Sequence, residues 1–172
     1  NFVNLYYAKK GRDGKISKSS KVFHKDFVSK FHNGPIAFNA KYDMAILTKN
    51  DLENKAKESL VRLMLFTCQK TSTNKWGEPI PFEYNSKDYS VGHPSLSADG
   101  KTLYFTSDMP GGFGETDIWM SQWNGSGWGK PENLGKTVNT PGREMFPFIH
   151  AHNCLYFASD GHAGLGGLDI FV

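Results

Sequence analysis

The stretch HPSLSADGKTLYFTSDMPGGFGETDIWMSQ, residues 93–122, returns as FPFIHAHNCLYFASDGHAGLGGLDIFV, residues 146–172. Pro94 falls on Pro147, Asp108 on Asp160, Gly112 on Gly164, Asp117 on Asp169 and Ile118 on Ile170, an offset of 52 to 53 residues with one gap in the first turn. A weaker copy begins at Gly34, where GPIAFNAKYDMAILTKND repeats the order strand, turn, strand, and KWGEPIPF at Lys75 echoes GWGKPENL at Gly127 with the same offset of 52. Fixed periods of about 40–50 residues built from several strands mark propeller blades. The fold class read from the repeat is therefore all-β, a β-propeller of four-stranded blades, with this chain covering roughly three blades' worth of a larger ring.

The clearest copy supplies the blade pattern. Strand A lies near Pro94 to Ser97, ADGK makes a tight turn, and TLYFTS (102–107) is an apolar strand B. After the glycine-rich MPGGFGETD, IWMSQW (118–123) is strand C and NGSG a hairpin, and WGKPENL (128–134) is strand D. Pro131 suits an outer edge strand, where a missing amide costs little. In the copy from Gly34, NDLENKAKESLVRL begins like two helical turns capped by Asn50 or Asp51, but SLVRLMLFTC stands where strand C belongs, so an elaborated B to C loop followed by a strand is expected. By the same register NFVNLYYA is a strand C and KVFHKDF supplies a strand D. The divisions are 1–33 for the end of one blade, 34–87 and 88–141 for two whole blades, and 142–172 for the start of the next. A chain that opens and closes inside blades is expected to be a piece of a longer protein.

Composition agrees with strands and narrows the function. The chain has 172 residues, of which 38% are hydrophobic, 14% aromatic and 22% charged, with 18 glycines and 8 prolines. That is the profile of a globular domain of short strands and tight turns, not of a disordered tail. No run approaches the roughly 18 apolar residues of a membrane helix, so direct membrane insertion is not expected. Net charge is +3, concentrated at the start: residues 1–30 carry eight Lys/Arg against Asp13 and Asp26. KKGRDGKISKSSK lacks interleaved aromatics and reads as a solvated hairpin rather than a nucleic-acid surface, with an anionic partner as the competing reading.

The residues with chemistry fall mainly in the loops. Propeller geometry puts the B to C and D to A connections on one face, so SDMPGGFGETD, SDGHAGLGGLD and VNTPGRE belong together. Asp108 with Asp117, and Asp160 with Asp169, are carboxylates nine residues apart at the two ends of glycine-rich loops. Such aspartates accept backbone amides and fix a loop's shape; ligation of calcium or of a partner is the alternative. Met109, Phe113, Arg143 and His162 are the candidate partner-binding residues on this face. Phe113 is replaced by Leu165 in the sister loop, an apolar tip that either tucks against the next blade or meets a partner.

No catalytic set, metal site or cofactor motif is assigned. GGFG and GLGG lack the GK[ST] and the βα unit of a phosphate loop. There is no nucleophile elbow, and Cys68 and Cys154 fall inside expected strands as inert thiols. Glu115 and Glu144 break the repeat and are read as solvated loop residues; with an exposed Trp123 they would serve a carbohydrate-binding or glycan-active propeller, the alternative function. His150 and His152 replace Ser97 and Asp99 and are read as a polar turn. His93 replaces Phe146 in a packing or hydrogen-bonding role, and Trp76 and Trp128 recur as packing residues.

HPSLSADGKTLYFTSD, PGGFGETDIW, WGKPENLGKTVNTPG and FASDGHAGLGGLDIFV resemble the WD-like propeller repeats of bacterial OmpA-family periplasmic proteins, with a related similarity to TolB-like propellers. The similarity is strong from Asp88 to Val172 and weaker before it. It implies a non-enzymatic protein-interaction scaffold in the periplasm, associated with the outer membrane, with envelope proteins as partners and a link to type IX secretion or gliding motility. It implies contact with peptidoglycan only through domains outside this chain, and no nucleic-acid partner.

Overall fold

The structure is a computed structural model that describes residues 4–28, 32–50 and 61–172. Its strands form four antiparallel sheets, each a simple meander in which successive strands pair. The first has two strands, β1 (Tyr6–Tyr7) and β2 (Lys21–Val22). The second contains β3 (Asn33–Phe38), β4 (Met44–Asn50), β5 (Leu63–Gln69) and β6 (Ile80–Pro81). The third contains β7 (Val91–Leu96), β8 (Thr102–Ser107), β9 (Asp117–Gln122) and β10 (Glu132–Asn133). The fourth contains β11 (Glu144–Ile149), β12 (Leu155–Ser159) and β13 (Asp169–Phe171). SLVRLMLFTC supplies β5; the helical half of NDLENKAKESLVRL lies outside the described residues. KVFHKDF yields only a two-residue strand followed by a 3-10 turn at Lys25–Phe27.

The first hairpin of each larger sheet turns on one left-handed residue. Tyr42, Gly100 and Asn153 have φ of 54°, 74° and 60°, and their amides donate to Asn39, Ser97 and His150 carbonyls at 2.9–3.0 Å. In the third sheet Asp99 fastens the turn by accepting from Ser97 Oγ at 2.6 Å and Lys101 N at 3.0 Å. Those donors, with the Ser97 hydroxyl foremost, hold the Asp99 carboxyl below its usual range.

A second repeated device lies in the inner strand of each larger sheet. β3, β7 and β11 all shift register, between Asn33 and Ile36, Gly92 and Ser95, and Met145 and Phe148. At each shift a residue with positive φ precedes a proline: Gly34 (117°), His93 (51°) and Phe146 (53°). Proline cannot donate to a ladder, and the bulge carries it past the position where a donor is needed. Strand A was expected from Pro94; it begins three residues earlier, at Val91, because the bulge lets the strand run through the proline.

Alternation along β8 then decides the packing. Leu103 and Phe105 point one way and are fully buried, joining Met44, Ile46, Leu65 and Phe82 of the second sheet in the main core. Trp128 enters the same core and its indole N–H donates to Thr67 Oγ1 at 3.1 Å across the two sheets. The opposite face of the second sheet buries Ala45, Leu47 and Cys68 beneath Leu5, Phe23 and Trp76. Trp76 therefore repeats, toward the first sheet, the packing that Trp128 makes toward the second. The basic stretch at the start is an exposed hairpin arm, closed by pairing of Lys10 with Ile16.

Candidate functional site

The loop from Asp108 to Asp117 is shaped from both ends. Asp117 is buried, and its Oδ2 accepts from the Phe113 amide at 2.5 Å and from Asn133 Nδ2 at 3.1 Å. Asp169 does the same in the sister loop, accepting from Leu165 N at 2.6 Å and Gly166 N at 3.2 Å. A Cβ on Gly112 or Gly164 would collide with the carboxylate of Asp117 or Asp169, so glycine at these positions lets the loop fold over its own cap. The other aspartate of each pair ties the loop to the inner strand. Asp108 accepts from the Ser90 amide at 2.6 Å, and Asp160 accepts from the Arg143 amide at 2.7 Å. All four carboxylates thus take backbone amides, the loop-structuring role. Among the described residues no three His, Cys, Asp or Glu side chains gather as a metal-binding set.

The tip of the first loop latches onto the next sheet. Glu115 N donates to Gly142 O at 2.9 Å, Glu144 N donates to Thr116 O at 2.8 Å, and Thr116 pairs in parallel with Arg143. Gly114 lies so close to the Thr140 and Gly142 carbonyls that a Cβ there would clash with both. Arg143 then forks onto Asp160 through Nε (2.8 Å) and Nη2 (2.6 Å), with Glu115 Oε2 3.7 Å from the same Nε. The Arg143 amide and guanidinium hold the Asp160 carboxyl below the ordinary aspartate range.

The four partner-binding candidates divide. Phe113, Arg143 and His162 all gather around the segment 135–143. Phe113 is 41% exposed with Lys136 Nζ 5.9 Å from its ring centre, and Arg143 is exposed. His162 is half-buried: a ring nitrogen lies 2.8 Å from Val138 O, and the ring packs by Phe157 and Phe171. Met109 packs against the main core from below the loop. The open part of the site is therefore Phe113 and Arg143, with Lys136 beside them, a residue that sequence reasoning missed. Leu165 at the sister tip is 100% exposed.

Three expectations are corrected. Glu144 is not a solvated loop residue: it is fully buried, and its carboxylate accepts from Thr140 N (2.8 Å), Thr140 Oγ1 (2.7 Å) and Ser159 Oγ (2.5 Å). Its alignment with Val91, itself fully buried, was the signal available. Trp123, expected to be exposed, is half-buried, edge-on to Trp128 with ring centres 5.2 Å apart. Cys154 is exposed, because the turn closed by Asn153 delays β12 until Leu155. His150 and His152 do lie in that turn, where His152 N donates to His150 Nδ1 at 3.3 Å.

The two cysteines differ chemically. Burial, reinforced by Asp26 and Glu78, pushes the Cys68 thiol up to about 12, so it is protonated and inert near neutral pH. A disulfide-exchange reagent applied to the native chain is expected to label Cys154 rapidly and Cys68 only after unfolding; two rapid equivalents in the native state would contradict the packing of β5.

No protein-family model matches the chain, and no curated protein does. Among solved structures it is similar to TolB from Acinetobacter baumannii, with a TM-score of 0.54 and 18% sequence identity over 92% of this chain. The chain spans about a third of that protein, 32% of its length. The likeness is one of fold: antiparallel sheets in an all-β chain, arranged as in a TolB-like β-propeller.

Proposed function

We propose that this chain is a non-enzymatic protein-interaction scaffold of the bacterial periplasm, presenting the loop face around Phe113 and Arg143 to another envelope protein. One observation carries the reading. An aromatic side chain stands open on a loop that is held by an aspartate cap, by carbonyl contacts at Gly114 and by the Arg143–Asp160 fork. A rigid loop loses little entropy on binding, and exposed aromatics with neighbouring arginine are the residue types that dominate interfaces. Arg143 is already paired with Asp160, so it is Lys136, with its Nζ over the Phe113 ring, that favours an acidic group on the partner.

The non-enzymatic reading is supported by how the acidic residues are engaged. Glu144 is buried under three donors, Glu115 faces Arg143, and the loop aspartates hold amides. The periplasmic assignment draws on the sequence resemblance to OmpA-family and TolB-like proteins. On the same basis we assign the chain to an outer-membrane-associated protein of the OmpA family, working in type IX secretion or gliding, with peptidoglycan reached only by domains outside this chain.

The test is capture from envelope extract on the immobilised chain. Phe113→Ala is expected to reduce retention of the specific partner about tenfold or more, the cost of a central aromatic anchor. Undiminished retention with Phe113→Ala and Arg143→Ala together would remove this face from the interface.

A further inference from the structure

A cavity of about 960 Å³ opens beside the β3–β4 and β5–β6 turns and the base of the first hairpin. Aromatic rings line it. Phe23, Phe38 and Trp76 meet one another with ring centres 5.2–5.8 Å apart, and Tyr42, 63% exposed, stands 5.6 Å from Phe38. Local structure brings them together: Trp76 pairs with Lys70 where β5 turns back, and Tyr42 holds the left-handed place of the β3–β4 turn. Tyr7 and Val22 add the base of the first hairpin.

The charge lining this cavity has one sign. Lys25, Lys70 and Lys75 line it and, among the described residues, no carboxylate does. Lys70 Nζ lies 5.4 Å from the centre of the Trp76 ring. Lys25 faces Glu78 at 3.7 Å, but both side chains are 76% exposed, and such a pair holds little. Asp26, the other acid nearby, faces His24 at 3.5 Å. From Tyr7 the chain runs out into the exposed arm and returns at Val22, carrying Lys9, Lys10, Arg12, Lys15, Lys18 and Lys21 against Asp13 alone.

We propose that this cavity is the docking site for an acidic protein segment, a large apolar side chain entering among Phe38, Tyr42 and Trp76 while its neighbouring carboxylates meet Lys70, Lys75 and the arm. An apolar group seated against Trp76 brings the residues beside it to the Lys70 ammonium. The volume is at the upper end for small ligands, and the cations continue past the cavity along the arm, so several acids on one polypeptide use charges that a single small anion leaves unmet. A lipid surface is entered by protruding apolar groups, whereas these rings surround a hollow. Phe113 belongs to the opposite ends of the strands: Ala40 N donates to Ala98 O at 2.9 Å and joins the turns at this end, while Phe113 lies in the β8–β9 loop. The two surfaces are therefore tested separately.

The test is fluorescence anisotropy of the fluorescein-labelled heptapeptide Glu-Asp-Glu-Trp-Glu-Asp-Glu, titrated with the full chain. Saturable binding that weakens as salt rises is expected. Alanine in place of the peptide's tryptophan should weaken binding about fivefold or more, and so should Tyr42→Asn on the chain. Asparagine adopts the left-handed turn, so loss in that variant is not unfolding. Lys70→Gln with Lys75→Gln should weaken binding about two- to thirtyfold, the range for two exposed ion pairs. Phe113→Ala should leave it unchanged. No saturable binding, binding indifferent to salt, equal binding of the alanine peptide, or binding unchanged in both Tyr42→Asn and the double lysine variant overturns the proposal, as does weakening by Phe113→Ala. Displacement by N-acetyltryptophan, or by vesicles of equimolar phosphatidylcholine and phosphatidylglycerol, as effective as that by unlabelled peptide would assign the cavity to a small aromatic anion or to lipid and overturn it as well.

Discussion

Replacing Phe105 by alanine is expected to lower the unfolding free energy by about 3–5 kcal/mol, the range for truncating a large core aromatic. Phe105 is fully buried in β8, and its ring meets Phe82 of the neighbouring sheet edge-on, with centres 5.4 Å apart. The same layer contains Leu103, Ile46, Leu65 and Trp128, so the void would open at the junction of two sheets rather than within one. Urea denaturation followed by tryptophan fluorescence measures the change. A loss below about 1 kcal/mol, the size of an ordinary surface or mild core substitution, would mean that the second and third sheets do not share this core.

Glu144→Ala is expected to cost about 2–4 kcal/mol, because it leaves three donors around a buried site without their charged acceptor. The backbone amide of Thr140 is the most exposed to this loss, since the Thr140 and Ser159 hydroxyls can rotate to other acceptors while an amide cannot. Glu144→Gln keeps the shape and one oxygen. That oxygen can serve the two hydroxyls, but the amide nitrogen then faces Thr140 N–H, donor to donor, and about 1–2 kcal/mol should still be lost. Thermal or urea unfolding of both variants gives the comparison. Equal stability of the Glu144→Gln variant and the wild-type chain would show that the carboxylate charge contributes nothing to holding the 140–144 turn.

These two sites also show what the sequence could and could not convey. Phe105 was legible only as part of TLYFTS, read as an apolar strand B that recurs 52 residues later with Phe157 in the place of Phe105. The loop aspartates were picked out by the repeat, with backbone amides, calcium or a partner as their possible uses; Asp117 and Asp169 accept from the amides of Phe113 and Leu165, and Asp108 and Asp160 from those of Ser90 and Arg143. Glu144 was misread because PGRE has the composition of a solvated turn; only its register with Val91 carried the information that the position is interior. The left-handed backbone at His93 and Phe146 was invisible, since nothing in the letters H-P and F-P announces it. Comparison with Gly34-Pro35 at the same place in the second sheet is what gives it meaning. Cys154 was placed inside a strand by alignment alone, and one residue of turn geometry at Asn153 was enough to move it to the surface.

The candidate face was found by its loops but sorted by packing. Met109 and His162 have the composition of contact residues, and only the contacts of one with the main core and of the other with Phe157, Phe171 and Val138 O withdraw them from the open surface. Phe113 stays open because the backbone of its own loop, not its side chain, makes the latch to the next sheet.

That this face meets a protein is tested most directly by a photo-crosslinking residue, p-benzoylphenylalanine, placed at position 113 in cells that make this protein. Position 42, on a hairpin turn where Tyr42 is also well exposed, serves as the control. One dominant crosslinked envelope protein is expected from position 113, and none of that species from position 42. No crosslink at 113, or the same products from both positions, would contradict it.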